Sequence, residues 1–243
     1  MRGWMTIPRI LFLLLTAYAM TANAVDSETV FTSEDFEHDH VPRCSPKNEP
    51  TSILVQISPM LPPYRFTLIP EHATAPPGAI HQAGKIEISI PATGARPQTI
   101  EVMSNWSDSV CRVFDAKDVN FDGYLDISVV REGAGTWASR DYYVFDPQSG
   151  RFITTDLTRD LGQLKNNGVN LDWKNHEIQA TFIFGLCGGV DIYRLENDRL
   201  VKIQEEEVSV DTEGHRCNQT VKRRIHGRWK VVLRKSTKLP RDG

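Results

Sequence analysis

The segment DVNFDGYLD at residues 118–126 is the most informative part of the 243-residue chain, and the apolar runs VF at 113–114 and ISVV at 127–130 flank it. Side chains with oxygen atoms occur at its relative positions 1, 3, 5 and 9, glycine occurs at position 6, and position 7 can add a backbone carbonyl. This spacing is typical of a calcium-binding loop. The sequence therefore predicts calcium ligands at Asp118, Asn120, Asp122, the Tyr124 carbonyl and Asp126.

The residues around this segment favour strands rather than helices. A helix-loop-helix calcium site would need a glutamate at position 12, which is Val129 here, and the flanking residues are largely β-branched. We therefore expect a calcium loop set between two strands. The alternative is a hairpin turn that holds no metal, because Asn, Asp and Gly also favour turns.

Residues 1–24 have the pattern of a secretory signal peptide. Arg2 and Arg9 precede the apolar run 10–19, and Ala-Asn-Ala at 22–24 resembles a cleavage site. The apolar run is too short to span a bilayer, and no cysteine stands at the cleavage point to accept a lipid. We expect an exported, soluble protein with no membrane attachment after cleavage.

The charge of the chain argues against nucleic acid as a partner. Without the signal peptide, the chain keeps 26 basic and 31 acidic side chains, which gives a formal charge of −5. An acidic stretch at 26–39 and a basic stretch at 216–241 are most simply solvated surface.

The four cysteines all follow the signal peptide, and none of them forms a C-x-x-C pair. In an oxidising compartment they predict two disulfides, for which three connectivities are possible. We favour the pairs Cys187–Cys217 and Cys44–Cys111.

Alternating apolar and polar residues predict strands at 52–57, 64–69, 85–90, 99–104 and 142–145. Turn residues at 149–152, 174–178, 196–200 and 226–229 then recur before alternating runs, and only 157–164 could form a helical turn. The fold class expected is all-β, an antiparallel meander that is either β-propeller-like or a β-sandwich. The domain boundaries expected are a flexible acidic arm at 25–48, one domain at 49–238 and a short tail at 239–243.

The sequence carries no recognisable catalytic motif. H-E-x-x-H, G-x-S-x-G and P-loop patterns are absent, and the GAG at 133–135 is only half of a dinucleotide fingerprint. The aspartates of segment 118–126 are better explained as calcium ligands than as an acid and base pair. We therefore expect a protein that is not an enzyme.

A glycine-rich segment at 131–142 follows the calcium loop and carries Trp137 and Arg140 near its centre. Trp, Tyr and Arg often dominate binding energy, and a loop held by a rigid scaffold suits recognition. The alternative is a mobile loop whose tryptophan folds back onto the core. The residues expected to contact a target are Glu132, Gly133, Gly135, Thr136, Trp137, Ser139, Arg140 and Tyr142.

The segments 118–127 and 142–146 resemble the core of bacterial periplasmic inhibitors of peptidoglycan hydrolases, and the resemblance covers about residues 111–152. This family includes invertebrate-type lysozyme inhibitors and immunity proteins against cell-wall-hydrolysing effectors of killing type IV secretion systems. The resemblance implies a β-rich fold, calcium on the Asp/Asn loop and a neighbouring loop that plugs the active-site cleft of a glycosidase.

The function expected from the sequence is therefore that of a calcium-braced periplasmic inhibitor or immunity protein. Its partner would be a peptidoglycan-hydrolysing enzyme, either a lysozyme or a secreted effector. The alternative is a calcium-dependent module that binds glycan or cell wall without inhibiting an enzyme.

Overall fold

The computed structural model describes residues 29–37, 50–70, 81–91, 93–104, 114–134, 137–164, 169–184, 187–211, 213 and 215–239. The predicted signal peptide at 1–24, residues 38–48 of the predicted arm with Cys44, and Cys111 lie outside these ranges. No helix within them is long and apolar enough to cross a membrane.

Three sheets contain the fifteen strands of the described residues. The N-terminal sheet has the strands β1 (Val30–Phe31), β2 (Thr51–Val55), β3 (Tyr64–Pro70), β4 (His81–Ser89) and β5 (Gln98–Ser104). The central sheet has β6 (Phe114–Lys117), β7 (Asp126–Ala134), β8 (Trp137–Asp146) and β9 (Arg151–Ile153). The C-terminal sheet has β10 (Val169–Asp172), β11 (Glu177–Phe184), β12 (Cys187–Glu196), β13 (Arg199–Asp211), β14 (Arg216–Ile225) and β15 (Arg228–Lys238).

Within each sheet the strands are neighbours in chain order, and every pair is antiparallel except β1 and β2, which run parallel. The prediction of an all-β antiparallel meander is confirmed. No sheet of the described residues closes into a barrel, and the central sheet shares one core with each of the other two sheets, so the fold is sandwich-like.

The central sheet is buried on both faces. On one face, Ile127, Val129 and Phe145 share a core with the N-terminal sheet. On the other face, Tyr142 and Val144 share a second core with the C-terminal sheet and a helix. Neighbouring strand residues point to opposite faces, which explains why this part of the sequence is a continuous apolar run.

The predicted helical turn is helix α2 (Asp156–Gly162), which follows helix α1 (Ser33–Glu37) in the chain. Thr155 caps α2 because its hydroxyl accepts the Thr158 N–H, while the Thr158 hydroxyl accepts the Thr155 N–H. The four predicted turns are also confirmed, since each lies in a hairpin of the structure: β8–β9, β10–β11, β12–β13 and β14–β15.

Two expectations from the sequence are wrong. Residues 29–37 were expected in a flexible arm but form β1 and α1, and the Phe36 side chain is buried against Phe114 with their ring centroids 5.8 Å apart. Residues 132–141 were expected as a loop but continue β7 and β8 as a hairpin, with Glu132 paired to Ser139. Only the connection 135–136, which contains Gly135 and Thr136, lies outside the described residues.

The disulfide Cys187–Cys217 is present and links β12 to β14 with the Cα atoms 5.9 Å apart. It confirms one of the two predicted pairs and fits an exported protein.

Candidate functional site: the Asp/Asn loop and the β7–β8 hairpin

The loop at 118–126 joins β6 to β7 and turns sharply in its middle. Phe121 and Gly123 have φ values of 61° and 88°, in the left-handed region that glycine adopts without strain. The backbone conformation of Phe121 has to be stabilised by contacts with its surroundings, because residues other than glycine rarely adopt it.

Asp118 organises the first half of the loop. Its Oδ1 accepts the Asp122 N–H at 3.1 Å, and its Oδ2 accepts the Gly123 N–H at 2.7 Å. The side chain is buried. The turn is therefore closed by a carboxylate within the loop itself.

Asp126 connects the loop to the hairpin. Its Oδ2 accepts the Val119 N–H at 2.9 Å, and its Oδ1 accepts the Phe145 N–H at 2.8 Å. Only 1% of the residue surface is exposed. Because Asp126 is the first residue of β7 and Phe145 lies near the end of β8, this carboxylate fixes the base of the hairpin.

Asn120 and Asp122 lie toward solvent at the turn of the loop. The Asn120 side-chain N–H donates to Asp122 Oδ2 at 2.8 Å, and Asp122 Oδ1 accepts the Tyr124 N–H at 2.9 Å. These two side chains can reorient at lower cost than Asp118 and Asp126, because water can replace their present partners.

The electrostatics of the loop favour a cation. Burial raises the pKa of Asp118, and the negative charge of Asp122 raises it further. Burial also raises the pKa of Asp126 well above its ordinary value, with smaller contributions from the charges of Asp118 and Asp122. Among the described residues, no Lys or Arg forms an ion pair with any of the three carboxylates.

The positions of the side chains support a metal site less well than their charges do. In the described part of the chain, no three His, Cys, Asp or Glu side chains are grouped so that they could hold a metal ion. Each carboxylate is turned toward an N–H group instead. The residue types and the unpaired negative charge fit calcium, but the carboxylates do not converge on one point, so the calcium site stays a prediction.

The loop touches all three sheets. The Leu125 N–H donates to the Ile57 carbonyl beside the N-terminal sheet at 2.8 Å. On the opposite side, the Phe121 ring meets the Trp173 ring edge to face at 5.2 Å and stacks on the His176 ring at 5.3 Å, both in the β10–β11 turn. The loop is thus a junction of the fold, and this aromatic cluster was not predicted from the sequence. An exposed tryptophan within a turn, here Trp173, was the signal available for finding it.

The residues expected to contact a target differ in their exposure to solvent. Ser139 and Tyr142 are buried, and burial raises the pKa of Tyr142 to about 12, so neither is available to a partner. Arg140 donates from Nη1 to the Ser128 hydroxyl at 3.1 Å and is only partly exposed. Glu132 is half-buried near the tip.

The backbone at the tip of the hairpin is paired on both sides of the connection. Gly133 pairs with Ala138, and Ala134 pairs with Trp137. The tip is therefore a narrow two-stranded ribbon rather than a broad loop, with Trp137 as the first residue of β8.

Arg131 braces the hairpin, a role that was not predicted. A register shift between Val130 and Glu132 leaves Arg131 in a bulge. From there its Nη1 lies 2.8 Å from Asp141 Oδ1, and its Nη2 donates to the Gly162 carbonyl of α2 at 3.3 Å. The hairpin is consequently tied to α2 as well as to the Asp/Asn loop.

Comparison with known proteins gives information about the fold alone. No protein-family model matches the chain, and no curated protein matches it. A solved structure of a Xanthomonas type IV secretion system related protein is similar, with a TM-score of 0.53 and 17% identity over 79% of this chain and 97% of that chain. A proposed 6-phosphogluconolactonase from Bacteroides uniformis is 10% identical over 80% of this chain and 84% of its own, and its TM-score of 0.21 is too low to support an argument. The Xanthomonas protein shares the fold of this chain.

Proposed function

We propose that this protein is an exported inhibitor or immunity protein that binds a peptidoglycan-cleaving glycosidase, either a lysozyme or a secreted effector. It acts by occupying the cleft of the enzyme and not by catalysis. The name of the Xanthomonas protein, which refers to a type IV secretion system, is compatible with an immunity role. The resemblance of segments 118–127 and 142–146 to periplasmic hydrolase inhibitors points in the same direction.

The observation that carries the proposal is the double hydrogen bond of Asp126 to Val119 and Phe145. It holds the base of a narrow hairpin whose second anchor is the Arg131–Asp141 ion pair. A glycan-cleaving cleft is concave and lined with carboxylates, so its inhibitor needs a thin, rigid projection. The β7–β8 ladder continues as only two strands up to the Ala134–Trp137 pair, a width that would suit such a cleft.

In this proposal the Asp/Asn loop is the brace of the hairpin. Asp118, Asn120, Asp122, the Tyr124 carbonyl and Asp126 would hold calcium, which would supply positive charge against the buried carboxylates. Asp118 and Asp126 already fix the loop backbone, while Asp122 and Asn120 would complete the ligand set. The bound ion would therefore rigidify the base of the hairpin without touching the target.

The charge of the chain agrees with a basic target. The formal charge after signal removal is −5, and opposite charge between partners accelerates encounter more than it adds affinity. The periplasm is the proposed compartment, because peptidoglycan hydrolases act there and the Cys187–Cys217 disulfide forms under oxidising conditions.

The decisive experiment is an inhibition assay with purified protein. Peptidoglycan turnover by a panel of lysozymes, and by glycosidase effectors encoded beside the gene, is measured with and without the protein. Inhibition at stoichiometric concentration supports the proposal. Unchanged turnover with every enzyme of the panel counts against it.

A second candidate is a module that binds glycan without inhibiting an enzyme. The observation in its favour is Trp173, which is 49% exposed, packs on Phe121 and lines an open groove with Lys117, Asn170 and Leu171. Exposed aromatic rings with polar neighbours suit stacking on sugars. Sedimentation with purified peptidoglycan, compared between the native protein and Trp173→Ala, separates this candidate from the first.

A further inference from the structure

Strand β15 lies at the edge of the C-terminal sheet, and among the strands of the described residues it pairs with β14 alone. Each of its eleven residues, Arg228 to Lys238, is exposed. Trp229, Val231, Val232 and Leu233 are each close to half exposed. The strand therefore adds little to either core, although its sequence keeps a run of large apolar side chains.

The charge of β15 is unbalanced. It carries five cationic side chains and no acid, and no carboxylate of the described residues forms an ion pair with them. Two of the cations face other cations across the ladder, since Lys238 pairs with Arg216 and Lys230 pairs with Arg223. Like charges directly opposite each other destabilise a sheet, so folding alone does not account for this pattern.

Protection of the edge explains only part of this composition. Proteins often place Lys or Arg on an edge strand to prevent strand addition. Such protection does not require an exposed tryptophan, Trp229, and three consecutive aliphatic residues, Val231 to Leu233, on the same strand. Apolar side chains combined with charges of one sign are instead typical of a recognition surface.

The same sheet shows which kind of strand fits this surface. The neighbouring ladder joins the acidic β13 to the basic β14, where Glu205 lies opposite Lys222 and Glu207 forms an ion pair with the same lysine. An acidic strand is thus already paired with a basic one. A partner strand on β15 would repeat this arrangement at the open edge.

We propose that β15 binds an extended, acidic segment of a partner protein, which adds to the C-terminal sheet as a further strand. Backbone hydrogen bonds would supply affinity, and the alternating acidic and apolar side chains of the partner would supply specificity. This surface shares no residue with the β7–β8 hairpin. The proposal therefore goes beyond the inhibitor function and does not depend on it.

Two other occupants are less favourable on physical grounds. A bilayer offers no hydrogen-bond partners to the free backbone groups of an edge strand, and such groups are costly in lipid. A second copy of β15 would place a basic strand opposite another basic strand. An acidic peptide satisfies both the backbone groups and the charge.

The test uses the full mature protein and a blocked synthetic peptide of alternating glutamate and valine. We expect saturable binding by calorimetry, together with slower hydrogen exchange of β15 amides in the bound state. The variant Lys230→Glu/Arg234→Glu should weaken binding at least about tenfold. The matched variant Arg151→Glu/Lys174→Glu makes the same change in net charge elsewhere on the surface and should bind normally.

Several results would overturn the proposal. These are no binding of the peptide to the native protein, equal binding of a lysine–valine peptide, and equal weakening by both double variants. Binding to phosphatidylglycerol vesicles without binding of the peptide would assign the surface to lipid. A dimer in sedimentation that the Lys230→Glu/Arg234→Glu variant abolishes would assign it to a second copy.

Discussion

The Phe145 N–H donates to Asp126 Oδ1 at 2.8 Å, and this bond joins the first residue of β7 to a residue near the end of β8. The other oxygen of the same carboxylate accepts the Val119 N–H from the Asp/Asn loop. One buried side chain therefore sets the position of the hairpin relative to the loop. The consequences for stability and for binding can be measured separately.

Substitution of Asp126 by alanine should lower the free energy of unfolding by about 2–5 kcal/mol in the presence of chelator. It leaves the buried N–H groups of Val119 and Phe145 without acceptors, and each such group costs about 1–3 kcal/mol. Urea denaturation measures the change. The control is Asp122→Ala, whose side chain is exposed and whose loss should cost about 1 kcal/mol or less without calcium. Equal destabilisation by both variants would contradict the role given to Asp126.

Calcium should raise the melting temperature of the native protein. A ligand at 100 times its Kd stabilises the folded state by about 2.7 kcal/mol, which for a domain of this size corresponds to roughly 5–10 °C. In the variant Asp122→Ala the response should disappear, because a ligand is lost while the fold is kept. Thermal scans with calcium, with magnesium and with chelator test this. Identical melting of the native protein in all three conditions would remove the metal from the proposal.

Local sequence chemistry predicted much of this fold. Asn, Asp and Gly at 149–150, 174–176, 196–198 and 226–227 mark turns through their own backbone preferences, and the structure has a hairpin at each. The alternation of apolar and polar residues predicted the strands, because successive side chains of a half-buried strand point alternately to the core and to solvent. This signal also lies within the local sequence. The spacing of oxygens at 118–126 predicted a compact loop between two strands.

Features that depend on distant contacts were not predictable. Phe36 lies in an acidic stretch, and its contact with Phe114, far away in the sequence, makes it part of the core. The glycines around residues 133–135 suggested a loop because glycine is a poor strand former, yet the ladder between β7 and β8 continues through Gly133. The stacking of Phe121 on His176 likewise joins residues that are far apart in the sequence.

Removal of the Cys187–Cys217 disulfide should lower the free energy of unfolding by about 3–4 kcal/mol. The two residues are 30 positions apart, and a cross-link of this length restricts the unfolded chain by about that amount. The double variant Cys187→Ala/Cys217→Ala isolates this bond, whereas a reducing agent also acts on other cysteines. Guanidinium denaturation gives the value. An unchanged denaturation midpoint and slope would show that the bond does not stabilise the domain.

Acid should weaken the docking of α2 on β13. The guanidinium of Arg199 donates two hydrogen bonds to the Asp160 carboxylate and is the main reason that the pKa of Asp160 lies below its ordinary value, with a smaller contribution from the Leu200 N–H. A carboxyl group whose pKa is lower when folded stabilises the protein above its unfolded pKa of about 3.9. That contribution is lost as pH falls through the folded pKa.

The variant Asp160→Asn should accordingly be less stable than the native protein at neutral pH, and the difference should shrink below about pH 4. Urea denaturation at a series of pH values measures it. Glu213→Gln, at an exposed position between β13 and β14, is the control for removal of a carboxylate. A difference between Asp160→Asn and the native protein that stays constant from neutral to acidic pH would exclude this linkage.

The final prediction separates the two candidate functions through two tryptophans. Trp137 opens β8 at the hairpin tip and pairs through its backbone with Ala134, whereas Trp173 lies exposed beside the Asp/Asn loop. If the hairpin enters a glycosidase cleft, Trp137→Ala should weaken inhibition by about 2 kcal/mol or more, or about 30-fold in the inhibition constant, as is usual for a hot spot. Melting should change little, because Trp137 stands at the end of the β7–β8 ladder.

The matched variant Trp173→Ala should leave inhibition unchanged and reduce only sedimentation with peptidoglycan, if the protein binds glycan at all. Enzyme inhibition, peptidoglycan sedimentation and thermal melting are measured on both variants. A Trp137→Ala protein that melts lower but inhibits normally would show that Trp137 stabilises the hairpin and does not contact the target. Loss of inhibition in Trp173→Ala with full inhibition by Trp137→Ala would move the inhibitory surface from the hairpin tip to the aromatic cluster of Phe121, Trp173 and His176.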